Sequence, residues 1–353
     1  MPKLSAIIPL SLFALLLVLA GCRTIEQPPE VPVTVMTYNL YVGSSAEPAL
    51  ETTNLFQIPM VVGELYGNVI ASDFAARAAS IAAIVKESHP HVIGLQEVEL
   101  IRRQDPGDFL TNREPNAEEI DLDYLEILMN ALQAEGLDYQ VAAKVQNLDL
   151  EMPMLRDGKV TDVRLTDFDV ILARGDVVVS RPTAANYAAG LPIAPLGLHV
   201  MRGYVAIDAT IDDVTYRIVN THLEAVDPGP RVEQAQELVD ALAGEELPLI
   251  LLGDFNTPAP GGAAYQLLLE AGYVDVWKAE SEGDGATCCQ ADDLGNEASE
   301  LSKRIDQIFV KGVALHPAGT IQTLTVGDKP DDRLPAGLWP SDHAGVVAHL
   351  PVE

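Results

Sequence analysis

Basic residues, cysteines and aromatics are what this sequence has least of. Lys and Arg number 22 against 52 Asp and Glu, leaving a formal net charge of −30 over 353 residues. The acids are spread along the chain rather than blocked. Such a surface repels phosphate backbones, whose binding normally draws on counterion release by Lys and Arg. Tight binding of nucleic acid is therefore not expected, although a fleeting encounter through bound metal ions is compatible with the charge. Three cysteines, two of them adjacent (Cys288 and Cys289), cannot build a framework of crosslinks, and no Cys/His spacing suggests zinc. The adjacent pair is open to three readings: a vicinal disulfide, a soft-metal site, or two small buried thiols. Residues 33–353 contain no repeat, low-complexity tract or Pro/Gly/Ser-rich break, and suffice for one large domain with a well-buried core.

One apolar run stands out, at the N-terminus. Lys3 gives a small positive start, Leu4 to Ala20 is almost wholly apolar, and small residues lead into Cys22. A short apolar segment of this kind reads as a secretory signal, residues 1–21, rather than a spanning helix. The Leu19-Ala20-Gly21-Cys22 sequence resembles a bacterial lipoprotein signal, in which the cysteine is acylated and becomes the first mature residue; an uncleaved anchor helix is the alternative. Either places the domain outside the cytoplasm, at the cell membrane or outer membrane. Residues 22–32, with three prolines, read as a tether.

The rest of the chain mixes both periodicities. Strands are expected at Val33–Leu40, His91–Leu95, Tyr139–Val145, Asp169–Ala173, Gly203–Ile211, Thr215–Thr221, Leu247–Leu252, Arg304–Val310 and Ala344–Leu350. Helical spacing marks Ser72–Ser88, Leu122–Ala134, Arg231–Ala243 and Ala264–Ala271. Glu51 to Ala71 is apolar without clean periodicity and reads as a helix or lid-like insertion, and the whole insertion Gly43 to Ala71 is expected to overhang a cleft. Strands with interspersed helices make an α/β layered sandwich with mixed sheets.

The informative pattern is a recurrence of polar residues where apolar strands end. It occurs at Tyr38-Asn39, Leu95-Gln96-Glu97-Val98, Asn220-Thr221-His222-Leu223, Gly253-Asp254-Phe255-Asn256 and Ser341-Asp342-His343. Any one of these could be a polar turn. Together they are not core packing, because burying such groups unpaired costs several kcal/mol. Gathered at one sheet edge they would form a set of acceptors suited to a hard cation.

With Arg304-Ile305-Asp306 added, this set resembles the endonuclease/exonuclease/phosphatase superfamily, and the likeness spans Val33 to the C-terminus. The resemblance implies a four-layer α/β/β/α sandwich with two mixed β-sheets. It implies a Mg²⁺-type ion (or Mn²⁺ or Ca²⁺) on Glu97, with Asn39 and Asp342 nearby, and a central catalytic His343 paired with Asp306. Phosphoester hydrolysis needs an activated water, a stabilised phosphoryl group and a neutralised leaving oxygen. On this reading Asp254 orients the water, Asn256 bonds the phosphate or that carboxylate, and His222 is a second donor. The choice between Asp254 and His343 as base stays open.

The expected activity is a metal-dependent phosphodiesterase or phosphomonoesterase at the envelope, with a membrane partner reached through lipidated Cys22. A surface nuclease is the alternative, and a noncatalytic binding lipoprotein a third. Basic DNA-clamping loops are missing, since Arg102, Arg103 and Arg113 lie among acids. Thr287-Cys288-Cys289-Gln290 is expected as a loop near the rim of the site.

Overall fold

A computed structural model describes residues 32–52, 54, 56–193, 198–277, 283–315 and 321–352. The signal segment, Cys22 and nearly all of the tether lie outside the described residues. In chain order the first sheet takes β1 (Val33–Asn39), β2 (Val92–Gln96), β3 (Leu100–Gln104) and β4 (Glu119–Asp123). It then takes β5 (Tyr139–Arg156) and β6 (Lys159–Arg174), a long hairpin. The second sheet begins with β7 (Val178–Asn186), after which β8 (Leu191–Ile193) and β9 (Leu198–Val200) pair as a separate two-stranded ribbon. Next come β10 (Gly203–Ile211), β11 (Val214–His222), β12 (Leu249–Asp254), β13 (Val274–Asp275) and β14 (Asp306–Lys311). Finally β15 (Gln322–Val326) and β16 (Gly345–Leu350) return to the first sheet. The two large sheets run β15-β16-β1-β2-β6-β3-β4, with β5 on β6, and β13-β14-β12-β11-β10-β7. Each mixes parallel pairs, β1 with β2 and β11 with β12, among antiparallel ones.

Strand alternation sorts the side chains into layers. Val35, Val92, Ile171, Ile218, Ile250, Ile308 and Val346 pack between the sheets. Met36, Ile93, Leu172 and Val347 face the other way, onto α3 (Phe74–Ser88) and α5 (Tyr124–Ala134) through Ile81, Val85, Leu128 and Leu132. Val219, Leu251 and Phe309 meet α6 (Pro228–Ala241) and α7 (Ala263–Glu270) through Leu238, Tyr265 and Leu268. The result is the expected α/β/β/α sandwich.

Two expectations need correction. The strands expected at Tyr139–Val145 and Asp169–Ala173 are the ends of a much longer β5–β6 hairpin, because strand pairing overrides the charged interruptions of residues 146–168. Leu122 lies in β4, whose last residue, Asp123, caps α5 by accepting from the Glu126 N–H, so that helix starts at Tyr124. The Gly43–Ala71 insertion holds α1 (Glu47–Glu51) and α2 (Ile58–Ala71).

Candidate active site

The parity that fills the core also builds the site. Val35, Val92, Ile218, Ile250 and Ile308 point between the sheets, so Asn39, Gln96, His222, Asp254 and Asp306, each an even step along the same strand, point there too. They stand where the apolar filling ends, at the mouth of the gap. Parallel β11 and β12 put His222 beside Asp254, and antiparallel β14 puts Asp306 opposite it. Asp306 is the first residue of its strand, not an interior one.

Three side chains converge on Oδ2 of Asp254. Asn39 Nδ2 donates to it at 3.2 Å, His222 Nε2 lies 3.6 Å away and His343 Nε2 3.9 Å. His343 Nδ1 is 2.8 Å from Asp306 Oδ2, which joins residues 37 apart in sequence. Burial disfavours charge on His343, but Asp306, Asp342 and Asp254 outweigh it and hold the imidazole well above its ordinary pKa. His222 behaves oppositely. Burial, then the neighbouring Arg202 and His343, push it well below the usual range. The Arg202 guanidinium lies 3.1 Å from His222 Nδ1 and can only donate, so that nitrogen accepts and the proton sits on Nε2, facing Asp254. Burial, reinforced by Asp306, pushes Asp254 itself up to about 7.

Beside this cluster lies a carboxylate pair suited to a cation. Glu97 follows β2 in the left-handed region at φ 54°, uncommon for a non-glycine residue and typical of functional positions. The turn lets its carboxylate accept from Val42 N–H at 2.8 Å and Asn39 Nδ2 at 3.2 Å. Burial, opposed by His343 and reinforced by Glu97, pushes Asp342 up to about 7, and its Oδ1 is buried without a hydrogen bond. A divalent cation would meet that demand, and oxygen donors of this kind match a hard ion. Asn39 turns its amide nitrogen to the carboxylates, because its Oδ1 accepts from the Tyr41 N–H at 2.9 Å. In this arrangement it positions Glu97 and Asp254. Asn256 reaches Asp254 through its backbone N–H at 2.9 Å, while its side-chain amide donates to the Leu223 carbonyl.

Several residues of the site escaped the sequence reading. Asp167 and Asp169, on the inward face of β6, are bridged by Asn147 Nδ2, and Arg202 donates to Asp167 at 3.3 Å. Burial pushes Asp167 up to about 6 and Asp169 well above its ordinary range. The alternation Asp167-Phe168-Asp169-Val170 was the available signal. Arg77, fully buried in α3, donates to the carbonyls of Leu40, Tyr41, Ser72 and Pro340, tying the loop after β1 to the one before Asp342. Cys288 and Cys289 form a vicinal disulfide, and their segment pairs with the backbone of Lys303 and His343 at the rim. Arg102 bonds Asp149 and Thr166, and Arg103 pairs with Asp121.

A four-layer sandwich with a histidine–carboxylate cluster at the mouth between its sheets defines the class of protein. Its family is equally plain. Residues 36–343 match the Endonuclease/Exonuclease/phosphatase family, to which the chain belongs. Similar solved structures include a protein of that family from Leptotrichia buccalis C-1013-b, with TM-score 0.54 and 17% identity, covering 90% of this chain and 99% of that one. Another is a mannosyl-6-phosphatase from Bacteroides thetaiotaomicron VPI-5482, with TM-score 0.51 and 18% identity, covering 90% of this chain and 99% of that one. At these identities the likeness concerns the fold. A search of the curated proteins finds no match.

Proposed function

We propose that this chain is a divalent-metal-dependent phosphoester hydrolase, a phosphodiesterase or phosphomonoesterase, held at the cell envelope through Cys22. The convergence on Asp254 carries the reading: a neutral imidazole and a charged one share one buried carboxylate beside Glu97 and Asp342. Groups with opposed protonation at one site are what proton transfer at a phosphoryl centre requires. Glu97 and Asp342 would hold the cation, with Asn39 positioning Glu97, and the ion would supply charge neutralisation for the phosphoryl oxygens. Asp254, with donors on several sides, orients a water as it ionises. His343, fixed by Asp306, presents Nε2–H to developing negative charge, and His222 presents a second Nε2–H. A mannosyl-6-phosphatase of the same fold is compatible with a phosphomonoester substrate. The envelope location rests on the sequence of residues 1–32.

The test is a panel with Mg²⁺, Mn²⁺, Ca²⁺ or EDTA: bis(4-nitrophenyl) phosphate, 4-nitrophenyl phosphate and plasmid DNA. EDTA-sensitive turnover of either chromogenic ester is the expected result. Plasmid cleaved in preference to both would make the protein a nuclease, and no turnover with any metal would make it a noncatalytic binder.

A further inference from the structure

The site opens into a cavity of about 460 Å³ that nothing in the reaction chemistry requires. Glu97, Asp342, Asp167 and Arg202 form one end of it. Ser44, Ser45, Glu99 and Glu224 also line it, but most of the lining is apolar, and one wall is a cross-strand ladder. Along the hairpin Asp167 pairs with Leu148, Leu165 with Leu150, and Val163 with Met152, all six lining the cavity. The face of β6 that carries the carboxylates therefore continues as aliphatic side chains for four more residues, about 13 Å of strand. The β8–β9 ribbon brings Leu191, Ile193 and Val200 to the same cavity, and α2 lies over the ladder, contributing Ile58, Val62 and Leu65; Gly63 permits the close approach, since any Cβ there would strike the Leu155 carbonyl.

An apolar cavity of this size forfeits dispersion contacts along its walls, a cost a protein carries when a ligand fills the space. Its lining joins the carboxylates of Glu97 and Asp342 to a long aliphatic face.

We infer that the cavity holds the aliphatic chain of the substrate, so that the ester cleaved is a phosphoester with a long alkyl or acyl tail. The inference rests on the phosphoesterase reading for which end of the ligand is which. Aliphatic lining favours a flexible chain over a sugar or a base, which would leave hydroxyls or ring nitrogens unpaired against Leu, Val and Met. Phe56, almost fully exposed, and Met60, about half exposed, flank Ile58 at the start of α2, where apolar groups would meet a lipid surface.

Two measurements on the full-length protein test this. Binding of methyl-, butyl-, octyl- and dodecylphosphonate with Mg²⁺ is measured by calorimetry, and hydrolysis of 4-nitrophenyl alkyl phosphodiesters is followed over the shorter chains. Affinity and kcat/KM should rise about fourfold for each methylene that becomes buried. Leu165→Glu, which makes the ladder polar, and Leu150→Trp, which fills it, should each reduce the ratio of long-chain to short-chain values at least about tenfold. The ratio within each variant is the readout, so a general loss of folding does not imitate the effect. Chain-independent binding, or a ratio unchanged in both variants, overturns the proposal even if hydrolysis is brisk. Chain-dependent binding with no hydrolysis of any ester supports the tail site and sinks the phosphoesterase reading instead.

Discussion

At the scale of single residues, the site is a set of carboxylates kept from ionising freely. His343 and Asp306 touch at 2.8 Å, and each gives the other a reason to be buried. His343→Ala should lower kcat about 100- to 10,000-fold, as expected for loss of a positioned proton donor. Asp306→Asn should cost less, since the amide can still orient the ring while no longer favouring its charge. Because the two act as a unit, the double variant should be little worse than His343→Ala alone. Steady-state kinetics decide it, and strictly multiplicative losses would reject the pair. Glu97→Gln removes charge with little change of volume, so EDTA-sensitive turnover should vanish while the circular dichroism spectrum stays unchanged.

The acids also set a pH dependence. Asp254 and Asp342, ordinarily near 3.8, are pushed up to about 7 in the fold. Between those values the folded chain binds more protons than the unfolded one, so metal-free stability falls as pH rises through that window. A cation held by Glu97 and Asp342 needs Asp342 ionised, so Mg²⁺ should bind more tightly, and raise Tm more, at pH 8 than at pH 5. Thermal melts with EDTA and with Mg²⁺ check both signs. Asp342→Asn should flatten the metal-free slope, and a slope identical to the parent would remove Asp342 from the account.

At the scale of elements, α3 does more than cover a sheet. Asp73 caps it, and its buried face carries Ile81 and Val85. The same face carries Arg77, which lies over the Phe74 ring at 4.9 Å and spends its donors on loop carbonyls. Arg77→Met keeps much of the volume but strands those carbonyls. It should cost about 3 kcal/mol or more, given 1–3 kcal/mol for each unsatisfied buried group. Urea unfolding measures the loss. Mg²⁺ affinity should fall with it, because the loops that Arg77 ties together carry Asn39 and lead into Asp342. Full stability with unchanged metal affinity would show that the loops hold without the helix. Asn220 plays the matching part between sheets, donating from β11 to the carbonyls of Leu95 and Val170, with Gly94 leaving room because a Cβ there would collide with its side chain. It lies in one of the strand-end motifs, yet its task is to bind one sheet to the other.

At the scale of the whole molecule, sequence and tertiary structure contributed different things. The N-terminal segment of the sequence is what the proposed export and lipid attachment at Cys22 rest on. Cys22→Ser should leave the protein unprocessed or release it from membranes, since acylation needs the thiol. Membrane retention after signal cleavage, measured by fractionation, would end that reading. The sequence by itself determined the layers and the candidate site residues, because period-2 and period-3.6 patterns are local and because strand ends with Asn, Glu, Asp or His are read without knowing what they face. It could not determine that the Asn39 amide donates to Glu97 and Asp254, that Arg202 fixes the tautomer of His222, or that Asp167 and Asp169 join the site. Those facts depend on which strands lie side by side, and pairing is settled by contacts between residues far apart in the chain. The β5–β6 ladder is the clearest instance. Leu148, Leu150 and Met152 alternate with polar residues like any half-buried strand. Only the arrival of α2 over them, with Gly63 seated on the Leu155 carbonyl, turns that face into a cavity leading from Glu97 and Asp342.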